Sequence, residues 1–232
     1  DLSDAGWLTA DLGMTYGHNT NFMGTEIRYN WVHDNRARGH SSGIYFDHCS
    51  HNAVVHHNVV WNVPGMPVQI NNPSYFMLVY HNTLLGGKKI TSFDHSARQD
   101  LFGCRFQNNL LAREPDLPPQ AVACPNLVAP DPLLVDPAQR RFGLRAESPA
   151  RGVGAPLPGI AEGNAGKGPD MGACPAGIPE WRAGHDFDNP PHVDGRPTAQ
   201  IPFANAIRNA AFELGTTEFW TVRGAGKAEI VP

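Results

Sequence analysis

Ile27-Arg28-Tyr29-Asn30-Trp31-Val32, Val55-His56-His57-Asn58-Val59-Val60, Val79-Tyr80-His81-Asn82-Thr83-Leu84 and Phe106-Gln107-Asn108-Asn109-Leu110-Leu111 superpose without gaps on one asparagine. The steps from Asn30 to Asn58, Asn82 and Asn109 are 28, 24 and 27 residues. Each asparagine is followed by a short apolar run of strand-forming residues. A second strand-like run lies between them: Gly43-Ile44-Tyr45-Phe46, Pro67-Val68-Gln69-Ile70 and Lys89-Ile90-Thr91-Ser92-Phe93, with Gly13-Met14-Thr15-Tyr16 one turn earlier. Paired strands at this period predict an all-β coil, a right-handed parallel β-helix in which each turn buries its apolar face on the next. An asparagine at a fixed corner donates to one neighbour and accepts from the other, so stacked copies form a ladder about 4.8 Å per step. It also tolerates the left-handed backbone of a tight corner. The rival is a β-sandwich. It lacks its hairpin signals, since there is no Asn-Gly and the only Asp-Gly is Asp194-Gly195, far from the repeats.

The rest of the 232 residues divides by composition. Prolines 115, 118, 119, 125, 130, 132 and 137 read as extended chain at the solenoid's end, and residues 141–155 as one more turn. The sequence therefore reads as a β-helix over 1–174, a linker over 175–205 and the start of another module over 206–232.

Composition bounds the function. Gly 24 and Pro 21 make the chain turn-rich, and 17% charged residues with a net charge of −4 leave no basic arm for nucleic acid. The sequence has no apolar run long enough for a membrane span. Asp1 in place of an initiator Met reads as a mature product or a piece of something longer. Cys49, Cys104, Cys124 and Cys174 allow three pairings. The pair expected is Cys124 with Cys174, beside prolines in the loop-rich end, with Cys49 and Cys104 as buried thiols. This composition leans towards a secreted, extracellular protein, and a monomer is expected.

Asp131-Pro-Leu-Leu-Val-Asp136, Phe142-Gly-Leu-Arg-Ala-Glu-Ser-Pro-Ala150 and Asp170-Met-Gly-Ala173 resemble the closing segment of the secreted bacterial right-handed β-helix proteins of polysaccharide breakdown, the pectate-lyase-like superfamily. Gly43-Ile-Tyr-Phe-Asp47 after Tyr29-Asn-Trp-Val-His-Asp34 is most similar to a glycoside hydrolase branch. That resemblance implies a polysaccharide or oligosaccharide partner and catalytic carboxylates at Asp11 and Asp47. The branch often carries a second Asp where this chain has His48. Asn209-Ala-Ala-Phe-Glu213 with Phe219-Trp220 resembles the opening of a carbohydrate-binding jelly-roll.

The repeat itself groups the candidates. Asp47-His48, Asn71-Asn72 and Asp94-His95 each follow their second strand, with Gly17-His18 in the same place one turn earlier. Asp47, Asp11 and Asp94 are the candidate catalytic carboxylates. A glycosidase holds such a pair about 5 Å apart to retain configuration and about 6.5–9.5 Å apart to invert it. The competing reading makes them strand-end caps. His18, His48, His95, Arg38, His40, Tyr16 and Tyr45 are candidate substrate contacts. Arg38 and His40 sit in a loop, 38–43, ahead of Asp47. His57 and His81 fall in an outward corner column with Tyr29 and Asn108. The histidine column also invites a metal, but no H-E-x-x-H or similar motif is present. The expectation is no resident cofactor, with calcium or another divalent ion left open. A lyase and a non-catalytic glycan-binding solenoid stay as alternatives. A lyase needs Lys or Arg beside an acidic sugar, and cations are scarce in the ladder region.

Overall fold

The computed structural model describes residues 1–89, 101–116, 121–123, 125–157, 160–161, 167–181 and 183. Residues 90–93 of the fourth strand-like run, Asp94, His95, Cys124 and the whole jelly-roll-like segment lie outside the described residues, as does most of the expected linker.

Three parallel sheets form the walls of a β-solenoid. The first holds β2 (Glu26–Arg28), β5 (Val54–His56), β8 (Leu78–Tyr80), β10 (Arg105–Gln107) and β12 (Val122–Ala123). Across the asparagine corner the second holds β3 (Trp31–His33), β6 (Val59–Trp61), β9 (Thr83–Leu84), β11 (Leu110–Leu111) and β13 (Leu127–Val128). The third holds β1 (Asp11–Gly17), β4 (His40–Phe46) and β7 (Met66–Ile70). Inside, Ile44, Phe46, Val55, Val60, Val68, Ile70, Val79 and Leu84 pack rung on rung, each at most 1% exposed. Burying each such side chain contributes about 1.5–3 kcal/mol. A single rung has no partner for these faces, so the turns stand only together.

The expected ladder is present, and it is longer than the sequence reading has it. Asn30 Nδ2 donates to Asn58 Oδ1 at 2.9 Å, Asn58 to Asn82 at 3.0 Å and Asn82 to Asn109 at 2.9 Å. Asn109 then donates to Asn126 Oδ1 at 2.8 Å. Each Oδ1 also accepts the backbone N–H of the preceding ladder residue. The last step spans only 17 residues, and the proline-rich segment hides its apolar pattern, so Asn126 escapes a search at the longer period.

The reason for asparagine needs correcting. The left-handed residue at this corner is the one before it: Tyr29 (φ 52), His57 (φ 52), His81 (φ 48) and Asn108 (φ 56). Such residues pay steric strain on the order of 1–3 kcal/mol. The ladder asparagine, bonded on both sides and to two backbone carbonyls, fixes the corner that imposes it.

Residues 141–155 do not form another parallel turn. β14 (Leu134–Asp136) and β15 (Arg141–Leu144) pair antiparallel around a single 3-10 turn, Pro137–Gln139, with Asp136 Oδ1 capping Gln139 N–H at 3.3 Å. Arg140 at φ 58 turns the chain back, and Phe142 packs against Trp31 and Trp61. Residues 167–181 then lie over the asparagine corner. Gly172 N–H donates to Asn108 C=O at 2.9 Å, Ala173 N–H to Thr83 Oγ1 at 2.9 Å, and Trp181 meets Tyr29 and Trp31. The column expected to face outward is covered only at its later rungs: His81 is 2% exposed and Asn108 0%, while His57 is partly buried and Tyr29 stays 44% exposed.

The expected cysteine clip is not made by Cys174, which is a buried free thiol. Burial, reinforced by Glu180, pushes that thiol up to about 12. Cys104 is fully buried as expected, and its Sγ donates to Ser74 C=O at 3.5 Å. Cys49 is only partly buried, a free thiol at a left-handed bend (φ 60) beyond β4.

Candidate functional site

The outer face of the β1–β4–β7 sheet gathers most of the candidate residues. Along β4, Ile44 and Phe46 point into the core, so Tyr45 and Asp47 point out. Parallel pairing sets Tyr16 beside Tyr45 and Tyr45 beside Gln69. The next position sets Asn71 beside Asp47, with Asn71 N–H bonded to Phe46 C=O at 2.8 Å. The equivalence of His18 with His48 needs correcting. Gly17 pairs with Phe46 and Asp47 N–H bonds Gly17 C=O, so His18 falls in the Asp47 column and Asn19 N–H bonds His48 C=O. The alignment slips by one because no apolar residue marks the rung at Gly17.

Asp47 is held by three donors. Tyr16 Oη donates to Oδ2 at 2.8 Å, Asn71 Nδ2 to Oδ1 at 2.7 Å and His48 N–H to Oδ1 at 2.8 Å. Burial opposes ionisation, but these bonds outweigh it and hold the carboxyl below the usual carboxylate range. His48 Nε2 stands 3.6 Å from Asp47 Oδ1, while its Nδ1 meets Asn72 C=O. The bond to Asp47, with smaller contributions from burial and the Asp47 and Asp11 charges, pushes the Tyr16 phenol up. Tyr45 is also pushed up, chiefly by burial and then by the same two carboxylates. The two rings meet edge to face at 5.1 Å, with Tyr16 59% exposed and Tyr45 6%.

Asp11 lies at the other end of the face, opposite His40 in the register. Along the strands the Tyr16–Tyr45 pair comes between the Asp11–His40 pair and Asp47, and the charges of both carboxylates push the two phenols up. The loop expected over 38–43 is mostly strand: β4 already begins at His40, and only Arg38 and Gly39 precede it, both exposed. His40 reaches Gln69 Oε1 at 2.8 Å and lies 5.9 Å from the Tyr45 ring. His18 is exposed in the turn after β1.

Sequence reasoning missed Gln69 and gave Asn71 no role. Gln69 Nε2 donates to Asn71 Oδ1 at 2.9 Å, and its Oε1 also accepts from Ser42 Oγ. The signal was present: a glutamine inside the otherwise apolar Met66–Ile70 strand has to bury its amide against something.

No helix among the described residues is long and apolar enough to cross a membrane. Residues 6–114, which carry β1 to β11, match the family model described as NosD, periplasmic copper-binding protein. No curated protein and no solved structure matches the chain.

Copper takes imidazole and thiolate donors converging on one point. Among the described residues no three His, Cys, Asp or Glu side chains do so. The buried corner histidines use their rings otherwise. His57 stacks on His81 at 5.4 Å and 15°, His56 stacks on Tyr80 at 5.0 Å and 10°, and the Nδ1 atoms of His56 and His57 bond each other at 2.8 Å. Parallel stacked rings aim their lone pairs side by side, so these residues do not fit a copper ion.

Proposed function

We propose that this chain acts outside the cytoplasm on a polysaccharide, as a glycoside hydrolase working on the outer face of the β1–β4–β7 sheet. The observation that carries the reading is the Asp47 carboxylate, kept ionised by Tyr16, Asn71 and the His48 N–H at the end of a rigid strand. An ionised carboxylate suits attack on the anomeric carbon or activation of water, and leaves proton donation to Asp11 across the tyrosine pair. The exposed Tyr16 ring offers a surface for a sugar ring. The family description, periplasmic, agrees with an extracytoplasmic site of action. Neither Lys nor Arg takes part in the described contacts of Asp47, which argues against a lyase base there.

One observation favours a second reading, glycan binding without cleavage: both oxygens of Asp47 already have protein donors. A single experiment separates the three. The protein is incubated with neutral and acidic polysaccharides while reducing ends and near-ultraviolet absorbance are followed. The hydrolase reading expects new reducing ends without an unsaturated product, lost in Asp47→Asn. Unsaturated sugars would establish a lyase, and retention on a polysaccharide without new ends would establish a binding module.

A further inference from the structure

The bonds around Gln69 have only one consistent direction. Ionised Asp47 is acceptor-only, so Asn71 must turn its Nδ2 towards it. The same Nδ2 reaches Tyr45 Oη at 3.0 Å, which leaves Asn71 Oδ1 for Gln69 Nε2 at 2.9 Å. Gln69 Oε1 is then the atom that accepts from Ser42 Oγ and, at 2.8 Å, from His40 Nε2. Flipping either amide sets oxygen against oxygen or N–H against N–H. Gln69 is 1% exposed and Asn71 8%, so no solvent stands ready to repair such a mismatch. One anchoring charge thus fixes two amide orientations and the Nε2 tautomer of an exposed histidine on the far side of Tyr45.

We propose that His40, Gln69 and Asn71 form a fixed relay of positioning residues that aims and polarises the Asp47 carboxylate, so that a ligand or proton taken up at His40 is felt at Asp47. The inference rests on the glycan-acting reading for its purpose, but not for its test. Chains of hydrogen bonds in a low-dielectric surrounding polarise one another, so a stronger donor at His40 sharpens each bond down the line. The ionisable neighbours are Asp11 opposite His40, Tyr45 beside it, and Tyr16 and His48 on Asp47. Ser42 joins the relay at Gln69 as a second donor, so removing His40 weakens the chain without emptying Gln69 Oε1.

The test is a carbon-detected NMR titration of the Asp47 carboxyl in the whole protein, which needs no substrate. Asn71→Leu is expected to raise the Asp47 midpoint by about one pH unit or more, since a direct donor is lost. Gln69→Leu and His40→Leu are expected to raise it by progressively smaller, still measurable steps. His40 is exposed, so that variant keeps the fold if either buried one does not. An unchanged midpoint in His40→Leu, with native circular dichroism, overturns the relay. No cleavage or retention of any polysaccharide would overturn the glycan-acting reading, and cleavage unaffected by Asp47→Asn would overturn the role of Asp47 in it; either leaves the measured coupling standing.

Discussion

Tyr16 and Asp47 sit on neighbouring rungs, yet the phenol of one donates to Oδ2 of the other at 2.8 Å, joining two turns through their outward side chains. Asp47→Asn keeps the shape; with its oxygen on Asn71 and the His48 N–H, its amide N–H donates to the Tyr16 hydroxyl oxygen instead of accepting from it. We expect it to remove any glycan turnover by orders of magnitude while changing stability by less than about 1 kcal/mol. Asp47→Ala leaves Asn71, Tyr16 and the His48 N–H unmatched and is expected to cost about 1–3 kcal/mol. A urea melt of the two variants beside the parent distinguishes them; equal loss in both makes Asp47 a structural cap.

Asn58 is bonded to ladder neighbours on both sides. Asn58→Ala removes a partner from the N–H and the Nδ2 of Asn30, the latter keeping Arg28 C=O, and from the carbonyls of Ile27 and His56. The expected loss is about 3 kcal/mol, the upper part of the range for leaving buried groups unpaired. Asn126→Ala, at the ladder's end, is expected to cost less. Thermal melts of both variants check the order.

Gly43 lies in β4 beneath the site. An added Cβ would stand 2.6 Å from Pro67 C=O and 2.8 Å from Val60 Cγ1, so either the rung spacing or the core has to give. Gly43→Ala is expected to cost about 1–3 kcal/mol, as overpacking does. It is also expected to shift the NMR signals of Tyr45 and Asp47 on the same strand.

Acid should loosen the asparagine corner. Burial, with smaller contributions from neighbouring cations and imidazoles, pulls His56 down to about 3 and His57 to about 4. Burial likewise pulls His81 down to about 4 against the opposing Asp170 and Gly172 contacts. An unfolded histidine titrates near 6.5, so between about pH 6.5 and 4 the unfolded chain binds more protons than the folded one. Stability is therefore full above that window and falls as the pH falls through it. Each pH unit of displacement is worth about 1.4 kcal/mol. Melting curves from pH 7.5 to 4 are expected to show the decline, reduced in His81→Gln; a flat profile would show that these rings are not buried in solution.

The ladder and core were legible because both are periodic: Asn30, Asn58, Asn82 and Asn109 each precede a strand that has to bury alternate residues. Asn126 was not, because its turn is short and its strands of two residues carry no detectable alternation. Tyr45 and Asp47 could be placed on one face from alternation alone; Tyr16 could not, since the repeat alignment sets it against Phe46 while the strand register sets it against Tyr45. The Gln69–Asn71 connection could not, since it depends on the exact pairing of β4 with β7, and a one-residue slip in that pairing changes every partner. The covering of the histidine corner was also hidden, for it depends on residues 167–181, which carry no repeat and whose place on the corner is set by Trp181, Gly172 and Ala173.

The asparagine corner acts as a phase reset for the chain. Between β3 and β4 run six residues and between β6 and β7 only four, yet Asn30, Asn58 and Asn82 stay in register. Length gained or lost ahead of the second strand is absorbed before the next asparagine and never reaches the following rung. The stretch that varies, just before β4 and β7, lies at the His40 and Asp11 end of the β1–β4–β7 sheet, the opposite end from Asp47. Insertions there can remodel what the face recognises while the stack beneath keeps its alignment, so that end is the place to graft a longer loop when a new specificity is sought.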